Sequence, residues 1–297
     1  MSKKIVLVGS LDTKEKEFLY VKGIIEENGL ETILVNTAVY PSFTEGDVSN
    51  EEVAKAGGSS LEELREKNDR GTAVTVMANG ARKVVNRLVE EGKVGAVFGM
   101  GGTAGTTVGA TAMKDVPIGI PKLLVSTVAS GNTRPYVGEK DIMMLYSIVD
   151  IAGINSLSSL ILKNAANALS GMVKGNRIRL EVEEKPMIGA TMFGVTTPCV
   201  NQTREILEQS GYDVLVFHAT GAGGDSMEAL IKEGFIKGVV DITTTELADG
   251  LVGGIFQSSE SRLEAAGQVG IPQVVSVGAL DMVNFGPPET VPEKFKD

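Results

Sequence analysis

Residues 94–107, VGAVFGMGGTAGTT, restrict the fold of this chain more than any other stretch. The apolar run at 96–98 ends in a turn with four glycines and three threonines, and a helix-compatible sequence follows. This pattern is typical of a parallel strand that turns tightly into a helix. Glycine lets the main chain approach a phosphate closely, and a helix N-terminus adds free N–H groups and a favourable dipole. The segment therefore predicts a parallel α/β sheet with an anion-binding turn at one strand end.

The same alternation of apolar strand, turn and helix recurs along the first half of the chain. Predicted strands lie at residues 4–8, 32–36, 94–98 and 118–126, and predicted helices at 16–28, 81–91, 106–113 and 154–173. Residues 40–70 are polar and helix-prone. We interpret them as an insertion or lid with short helices, because a structureless loop of this length would be unusual.

The second half repeats landmarks of the first. LVEEGKVGAVFGMGGT, from Leu88, aligns with LIKEGFIKGVVDITTT, from Leu230. The alignment pairs Gly92 with Gly234, Val97 with Val239 and Thr103 with Thr245, and Gly-Ile-Pro occurs at both 119–121 and 270–272. We expect an internal duplication, although coincidence within a chain rich in βα units is the alternative.

The duplication predicts two Rossmann-like, doubly wound α/β subdomains with parallel sheets, at residues 1–178 and 179–297. A length of 297 residues also fits two domains better than one. After a predicted strand at 273–277 the remaining sequence is loop-like. The second subdomain is therefore expected to have fewer strands than the first and to be incomplete.

Composition excludes several classes of protein. The net charge of −10 and the absence of tryptophan argue against a nucleic-acid-binding surface, which needs a concentrated basic face. The apolar runs are too short and too often broken by glycine to span a membrane. One cysteine and no signal peptide are typical of the cytoplasm.

Three strand-end loops are candidate anion sites, since open α/β sheets bind ligands at the carboxyl ends of their strands. The first contains Ser10, Asp12, Thr13 and Lys14, the second Gly101, Gly102 and Thr103, and the third Gly131, Asn132 and Arg134. Lys14 could meet a phosphate as a point charge, and Asp12 could hold a hydrated Mg²⁺ ion. The structural alternatives are a helix cap for the first loop, close helix–strand packing for the second and a tight turn for the third.

Two common nucleotide motifs do not account for the second loop. The run from Gly99 to Ala104 fits G-x-G-x-x-A, but it does not follow the first strand, and no acidic residue closes the next strand to hold a ribose. NAD is therefore disfavoured. The sequence G-x-x-x-x-G-K-[ST] is absent, which excludes a Walker A site.

In the second half, three reactive side chains follow predicted strands. Cys199 begins a helix after Pro198, His218 ends a strand, and Asp241 ends the next strand before Thr243. A thiol, an imidazole and a carboxylate at one sheet edge are the parts of a nucleophilic site. The alternatives are a small residue that packs in the core and a histidine that is merely hydrogen-bonded.

Six motifs occur in order along the chain: GSLDTK, FGMGGTAGT, TTPCV, FHATGAGG, TTTELADGLVGG and GIPQVVSVGALDMVNFGP. With these motifs the chain resembles the UPF0261 family, whose members are similar to the N-terminal half of the Tm-1 plant virus-resistance protein, the Tm-1-like ATP-binding domain. The resemblance implies two Rossmann-like subdomains, ATP held mainly by the first, and self-association. Its nucleotide loops map to residues 9–14, 99–106 and 130–133, which adds Gly9, Thr106 and Thr133. Family members usually continue past GALDMVNFGP, which favours a truncated second subdomain.

Three functions follow as hypotheses. The first is a cytoplasmic, homo-oligomeric ATP-binding protein whose Mg²⁺ arrives with the nucleotide rather than in a dedicated metal site. The second is an enzyme that acts on a small polar or acidic substrate between the subdomains, with Cys199 as nucleophile or acid and His218 as base. The third is an interaction protein with a structural nucleotide. Neither a nucleic-acid nor a membrane partner is expected.

Overall fold

The computed structural model describes residues 3–175 and 184–296. The chain divides into two compact units, residues 1–180 and 181–297. The subdomain boundary predicted between residues 178 and 179 lies outside the described residues. Within the described ranges, no helix is both long enough and apolar enough to cross a bilayer.

The first unit contains a five-stranded parallel sheet in the order β2-β1-β3-β4-β5. Its strands are β1 (Lys4–Gly9), β2 (Thr32–Asn36), β3 (Val94–Gly101), β4 (Lys122–Ser126) and β5 (Ile142–Tyr146). Its helices are α1 (Leu11–Glu27), α2 (Asn50–Gly57), α3 (Leu61–Lys67), α4 (Arg70–Glu90), α5 (Thr103–Met113), α6 (Arg134–Val137) and α7 (Ser156–Gly175).

Helices cover both faces of this sheet. Val6 and Val8 of β1 pack into one apolar core with residues of α2, α4 and α5, whereas Ile5 and Leu7 pack into a second core with residues of α1 and α7. Alternate residues of a strand point to opposite faces, so the run of apolar residues in β1 fills both cores. The predicted doubly wound parallel sheet is confirmed.

The insertion was predicted correctly in kind but not in extent. It contains the short helices α2 and α3, as expected for residues 40–70. Helix α4, however, begins at Arg70 and not at residue 81, with Asp69 as its N-cap: the carboxylate accepts hydrogen bonds from the N–H groups of Gly71 and Thr72. Glycine and β-branched residues in the first half of α4 have low helix propensity and concealed this start. Strand β5 was also missed.

The second unit has a four-stranded parallel sheet in the order β7-β6-β8-β9. Its strands are β6 (Met187–Met192), β7 (Asp213–His218), β8 (Ile236–Thr243) and β9 (Gln273–Gly278). Its helices are α8 (Thr197–Gln209), α9 (Ala222–Lys232), α10 (Thr245–Val252) and α11 (Ala265–Val269). Within the described residues its sheet thus has one strand fewer than the first, as predicted.

The landmarks paired from the sequence occupy equivalent places in the two units. Both sheets place the first strand between the second and the third. The N–H of Val97 donates to the carbonyl of Pro121 at 2.9 Å, and the N–H of Val239 donates to the carbonyl of Pro272 at 2.9 Å. Thr103 and Thr245 each begin the helix after the third strand. These matches support the internal duplication.

Candidate functional site

A cavity of about 720 Å³ opens at the carboxyl ends of β1 and β3. In a sheet of order 2-1-3-4-5 the chain reverses its winding between these two strands, and ligands bind at this topological switch point. The cavity is lined by Ser10, Asp12, Thr13, Lys14 and the turn at 100–105, and also by Tyr40, Leu64, Asn68, Arg70, Val74 and Met77.

The glycine turn at 101–105 presents an uncapped helix N-terminus to this cavity. Gly102 is the N-cap of α5 and offers no side-chain acceptor. In the described part of the chain, the N–H groups of Thr103, Ala104 and Gly105 make no hydrogen bond, whereas the N–H of Thr106 donates to the Gly102 carbonyl at 2.9 Å. Free N–H groups at the positive end of a helix dipole favour an anion.

Packing explains some of these glycines but not Gly102. A Cβ on Gly99 would lie 2.8 Å from Leu124 Cδ2, and Gly101 has a φ of +155°. At Gly102 the φ is −74°, and a Cβ would meet only Thr127 Oγ1, at 3.7 Å. Neither the backbone nor the neighbouring atoms require glycine there. The absence of a side chain keeps the cavity wall open at the helix N-terminus.

The stretch predicted as the first loop lines the cavity, but it is not a loop: Ser10 is the N-cap of α1, and α1 begins at Leu11 and not at residue 16. The hydroxyl of Ser10 donates to the Thr37 carbonyl at 3.3 Å. Asp12 Oδ2 accepts the N–H of Tyr40 at 3.2 Å, and its Oδ1 is buried without a hydrogen-bond partner. Lys14 interrupts α1 with a φ of −130° and a ψ of 20°.

The cavity contains two cations, Lys14 and Arg70, that form no ion pair within the described residues. Three carboxylates, those of Asp12, Asp69 and Asp150, also line it. Asp69 is committed to the cap of α4, and hydrogen bonds from the Thr72 hydroxyl and from the N–H groups of Thr72 and Gly71 lower its pKa. Asp150 Oδ1 accepts the N–H of Ile151 at 2.9 Å.

Two predicted site residues lie behind the cavity wall instead of on it. A Cβ on Gly9 would fall 1.9 Å from the ring of Phe18, so Gly9 permits close packing of α1 on the sheet. Thr106 is fully buried, and its hydroxyl contacts the Gly102 carbonyl at 2.8 Å and the Ser126 hydroxyl at 2.6 Å. Thr106 thus holds the turn from beneath.

The third predicted loop does not line the cavity. Gly131, Asn132 and Thr133 are absent from its wall. Asn132 Oδ1 accepts the N–H of Arg134 at 3.2 Å, and the Thr133 carbonyl accepts the N–H of Tyr136 at 3.0 Å. The structure therefore favours the turn interpretation for this loop.

Sequence reasoning missed the wall contributed by the insertion. Leu61 and Leu64 of α3, and Val74 and Met77 of α4, recur at the three-residue spacing of an amphipathic helix. This spacing predicts an apolar face but not whether the face meets a core or a ligand. In the structure, Leu64, Val74 and Met77 reach the cavity, with Tyr40 beside them.

The three reactive residues of the second unit are not hydrogen-bonded to one another within the described residues. Asp241 lies within β8 and not at its end, which corrects the sequence prediction, and both of its oxygens contact Arg262 at 2.6 Å. Cys199 is exposed in the first turn of α8, and His218 packs edge-on against Phe193. Among the described residues no hydrogen bond connects the thiol, the imidazole and the Asp241 carboxylate. Their joint catalysis stays a prediction.

The second unit has an acidic residue at a sequence position that corresponds to the glycine turn. The pairing of Thr103 with Thr245 places Ala104 opposite Glu246. Glu246 Oε1 accepts the N–H groups of Gly221 at 2.7 Å and Gly224 at 3.2 Å, and its Oε2 accepts Arg262 Nε at 2.7 Å. Burial raises the pKa of Glu246, although hydrogen bonds from Arg262 and both glycines oppose this shift. A buried carboxylate thus occupies the helix N-terminus of α9.

Two family models match almost the whole chain. They are the N-terminal and C-terminal domains of the Uncharacterised protein family UPF0261, at residues 3–177 and 185–297. The chain belongs to the UPF0261 family. The open cavity lies entirely within the N-terminal family domain, and the Glu246 cluster lies within the C-terminal one.

This UPF0261 protein has curated relatives in bacteria and plants. It is 57% identical to a UPF0261 protein of Clostridium tetani over 297 residues, 100% of this chain and 73% of the relative. It is 48% identical over 234 residues to both the ToMV resistance protein Tm-1(GCR237) and the ToMV susceptible protein tm-1(GCR26) of Solanum lycopersicum, with 76% of this chain and 31% of each relative covered. Equal identity to the resistance and susceptible proteins does not favour a role in resistance.

The solved structures that the chain matches are only remotely similar to it. A putative UDP-N-acetylglucosamine 2-epimerase from Listeria monocytogenes is 13% identical to the UPF0261 chain, with a TM-score of 0.29 over 93% of this chain and 79% of that one. A likeness at this score carries no argument about function.

Proposed function

We propose that the N-terminal unit of this UPF0261 protein binds a nucleotide, ATP with Mg²⁺, in the cavity at the carboxyl ends of β1 and β3. One observation supports this most: the same cavity combines an uncapped helix N-terminus and two unpaired cations with apolar side chains from α3 and α4. A nucleotide has the matching polarity, with phosphates at one end and a planar base at the other.

The phosphates are assigned to the glycine turn. The N–H groups of Thr103, Ala104 and Gly105 would donate to phosphate oxygens, and Lys14 would supply a positive charge. Gly102 would allow the oxygens to approach the backbone because it has no side chain. Asp12 is assigned to hydrated Mg²⁺, which binds proteins through one or two carboxylates and the phosphates of its ligand. Its unpartnered Oδ1 supports this role.

The base is assigned to the wall from the insertion and α4. Leu64, Val74 and Met77 provide apolar contacts, and Tyr40 provides a ring beside them. The volume of about 720 Å³ lies within the range of small-molecule pockets, roughly 300–1,000 Å³. In the second unit the residue paired with Ala104 is Glu246, a buried carboxylate that is hydrogen-bonded to Gly221 and Arg262. We therefore expect one nucleotide per chain. A cytoplasmic location stays a prediction from the sequence composition, and self-association stays a prediction of the family resemblance.

Calorimetry with ATP, in the presence and absence of Mg²⁺, tests this proposal on the full chain and on Lys14→Ala and Gly102→Val. Each variant should lose about tenfold or more in affinity, since a charged hydrogen bond to phosphate or the space for it is removed. Lys16→Ala and Gly131→Val are matched controls: Lys16 is exposed outside the cavity, and a Cβ on Gly131 meets only the Val128 carbonyl, at 3.7 Å. No binding by the well-folded parent chain would refute the proposal.

A further inference from the structure

Asn68 occupies an unusual position on the cavity wall. It is the C-cap of α3, with a φ of 45° and a ψ of 33° in the left-handed region. Glycine adopts this conformation without steric cost, and asparagine is the next most common residue there. Asparagine therefore fits the cap, but it also adds a side-chain amide where glycine would add nothing.

The Asn68 amide is free to meet a ligand. Asn68 is exposed, it lines the cavity, and its side chain makes no hydrogen bond within the described residues. Leu64 of the same helix and Val74 of α4 line the same cavity. A single polar group on a largely apolar wall is the usual way in which a pocket fixes the orientation of a ligand.

We propose that Asn68 makes the site selective for adenine over guanine, an inference that rests on the proposed nucleotide function. An amide presents one donor and one acceptor side by side, which matches N7 and the N6 amino group of adenine. Guanine presents two acceptors, O6 and N7, on the corresponding edge and pairs poorly with an amide.

The neighbouring polar residues are otherwise engaged or of the wrong type. Both oxygens of Asp69 accept hydrogen bonds from the first turn of α4, so this carboxylate is not available for the N–H groups of guanine. Arg70 offers donors only, and such a group matches either phosphate or the O6 and N7 atoms of guanine. We assign Arg70 to phosphate together with Lys14, because a triphosphate requires several positive charges.

The test compares ATP and GTP by calorimetry on the parent chain and on two variants that suit the left-handed backbone. Asn68→Gly removes the amide without strain, and Asn68→Asp replaces its donor with a second acceptor. The parent should prefer ATP by about tenfold or more, a ratio in the range for one bidentate contact to a base. Asn68→Gly should lose about tenfold in ATP affinity with GTP unchanged. Asn68→Asp should lose at least as much ATP affinity, because a carboxylate has no donor for N7, and should not gain GTP affinity, because O6 and N7 of guanine are both acceptors.

Gly58→Asn is a matched control, since Gly58 is the left-handed C-cap of α2 and lies outside the cavity. It should leave both affinities unchanged, and circular dichroism should show all variants folded. Equal binding of ATP and GTP by the parent, or a GTP preference that Arg70→Ala removes, would overturn adenine selectivity while nucleotide binding stands. Binding of neither nucleotide would overturn both proposals.

Discussion

The guanidinium of Arg262 donates to both carboxylate oxygens of Asp241, from Nη1 and Nη2, at 2.6 Å each. Both side chains are buried. Arg262 also donates to Glu246 at 2.7 Å and lies 3.5 Å from Glu228. Asp241, predicted from sequence as part of a nucleophilic site, is therefore one of three buried carboxylates that surround a single cation.

Arg262→Met should strongly destabilise the second unit. The substitution keeps much of the apolar stem but leaves Asp241 and Glu246 without their cation, and an uncompensated buried charge costs about 3–5 kcal/mol. Urea denaturation followed by circular dichroism would measure the free energy of unfolding. Arg204→Met is the matched control, because Arg204 forms a partly exposed pair with Glu208 that should contribute less than about 1 kcal/mol. Similar losses for the two variants would contradict a special role for Arg262.

Glu246→Gln should change how stability depends on pH. Burial raises the pKa of Glu246 above its ordinary value of 4.5, so the folded state favours the protonated form. The stability that this group contributes is complete below pH 4.5 and is lost as the pH rises through the raised pKa. Glutamine does not ionise, so the stability of Glu246→Gln relative to the parent should rise with pH over that range. A constant loss adds to this change at every pH, because the glutamine NH2 group must face a donor, either Arg262 Nε or the N–H groups of Gly221 and Gly224. Urea denaturation of the parent and of Glu246→Gln at several pH values would measure this change. If the ionisation of Glu246 is not linked to folding, the difference in unfolding free energy between the two proteins will be the same at every pH.

Gly99→Ala and Gly102→Ala should separate the packing role of glycine from its proposed binding role. A Cβ on Gly99 would lie 2.8 Å from Leu124 Cδ2 and 3.1 Å from Gly109 Cα, so overpacking should cost about 1–3 kcal/mol. Gly102→Ala meets no atom closer than 3.7 Å and should stay within about 0.5 kcal/mol of the parent. Thermal unfolding without ligand is the measurement. A loss at Gly102 as large as that at Gly99 would assign both glycines to packing.

The fold was largely predictable because its signals are local. The apolar run of β1, with turn residues after it, predicts a buried parallel strand, and residues matched between the halves, such as Val97 and Val239, proved equivalent in the structure. The predicted elements were wrong where the helix propensity of a segment and its tertiary packing disagree. The first half of α4 is rich in glycine and β-branched residues, yet it is helical because its apolar face packs on α2 and its start is capped by Asp69.

The site was predictable only where backbone chemistry defines it. The turn at Gly102 and the segment at Lys14 stand out in the sequence because glycine and charge follow strands, and both line the cavity. Leu64 and Met77 gave no such signal, since an apolar helix face in a sequence does not show whether it meets a core or a ligand. At Asp241 the sequence suggested a site residue where the structure has a buried ion pair. Its partner Arg262 is 21 residues away, and only the tertiary structure brings the two side chains together.

The two units also provide an internal test of the anion site. Where the first unit has Ala104 on the cavity wall, the second has Glu246, whose carboxylate accepts hydrogen bonds from the N-terminus of α9. Ala104→Glu should therefore place a carboxylate where the phosphates are proposed to bind. Glutamate is well tolerated in the first turn of a helix, so α5 should remain folded. Repulsion of the phosphates should reduce ATP affinity by more than about tenfold, since like charges in contact cost several kcal/mol.

Ala104→Gln distinguishes charge from size, because glutamine occupies the same volume without the negative charge. Calorimetry should show a clearly smaller loss for Ala104→Gln than for Ala104→Glu, and this difference should narrow at high salt, where exposed charges are screened. The parent chain should bind one nucleotide, because the second unit already contains its own carboxylate at the equivalent position. If the two variants lose ATP affinity equally at every salt concentration, the loss comes from the volume of the new side chain and not from its charge. The phosphates would then bind elsewhere in the cavity.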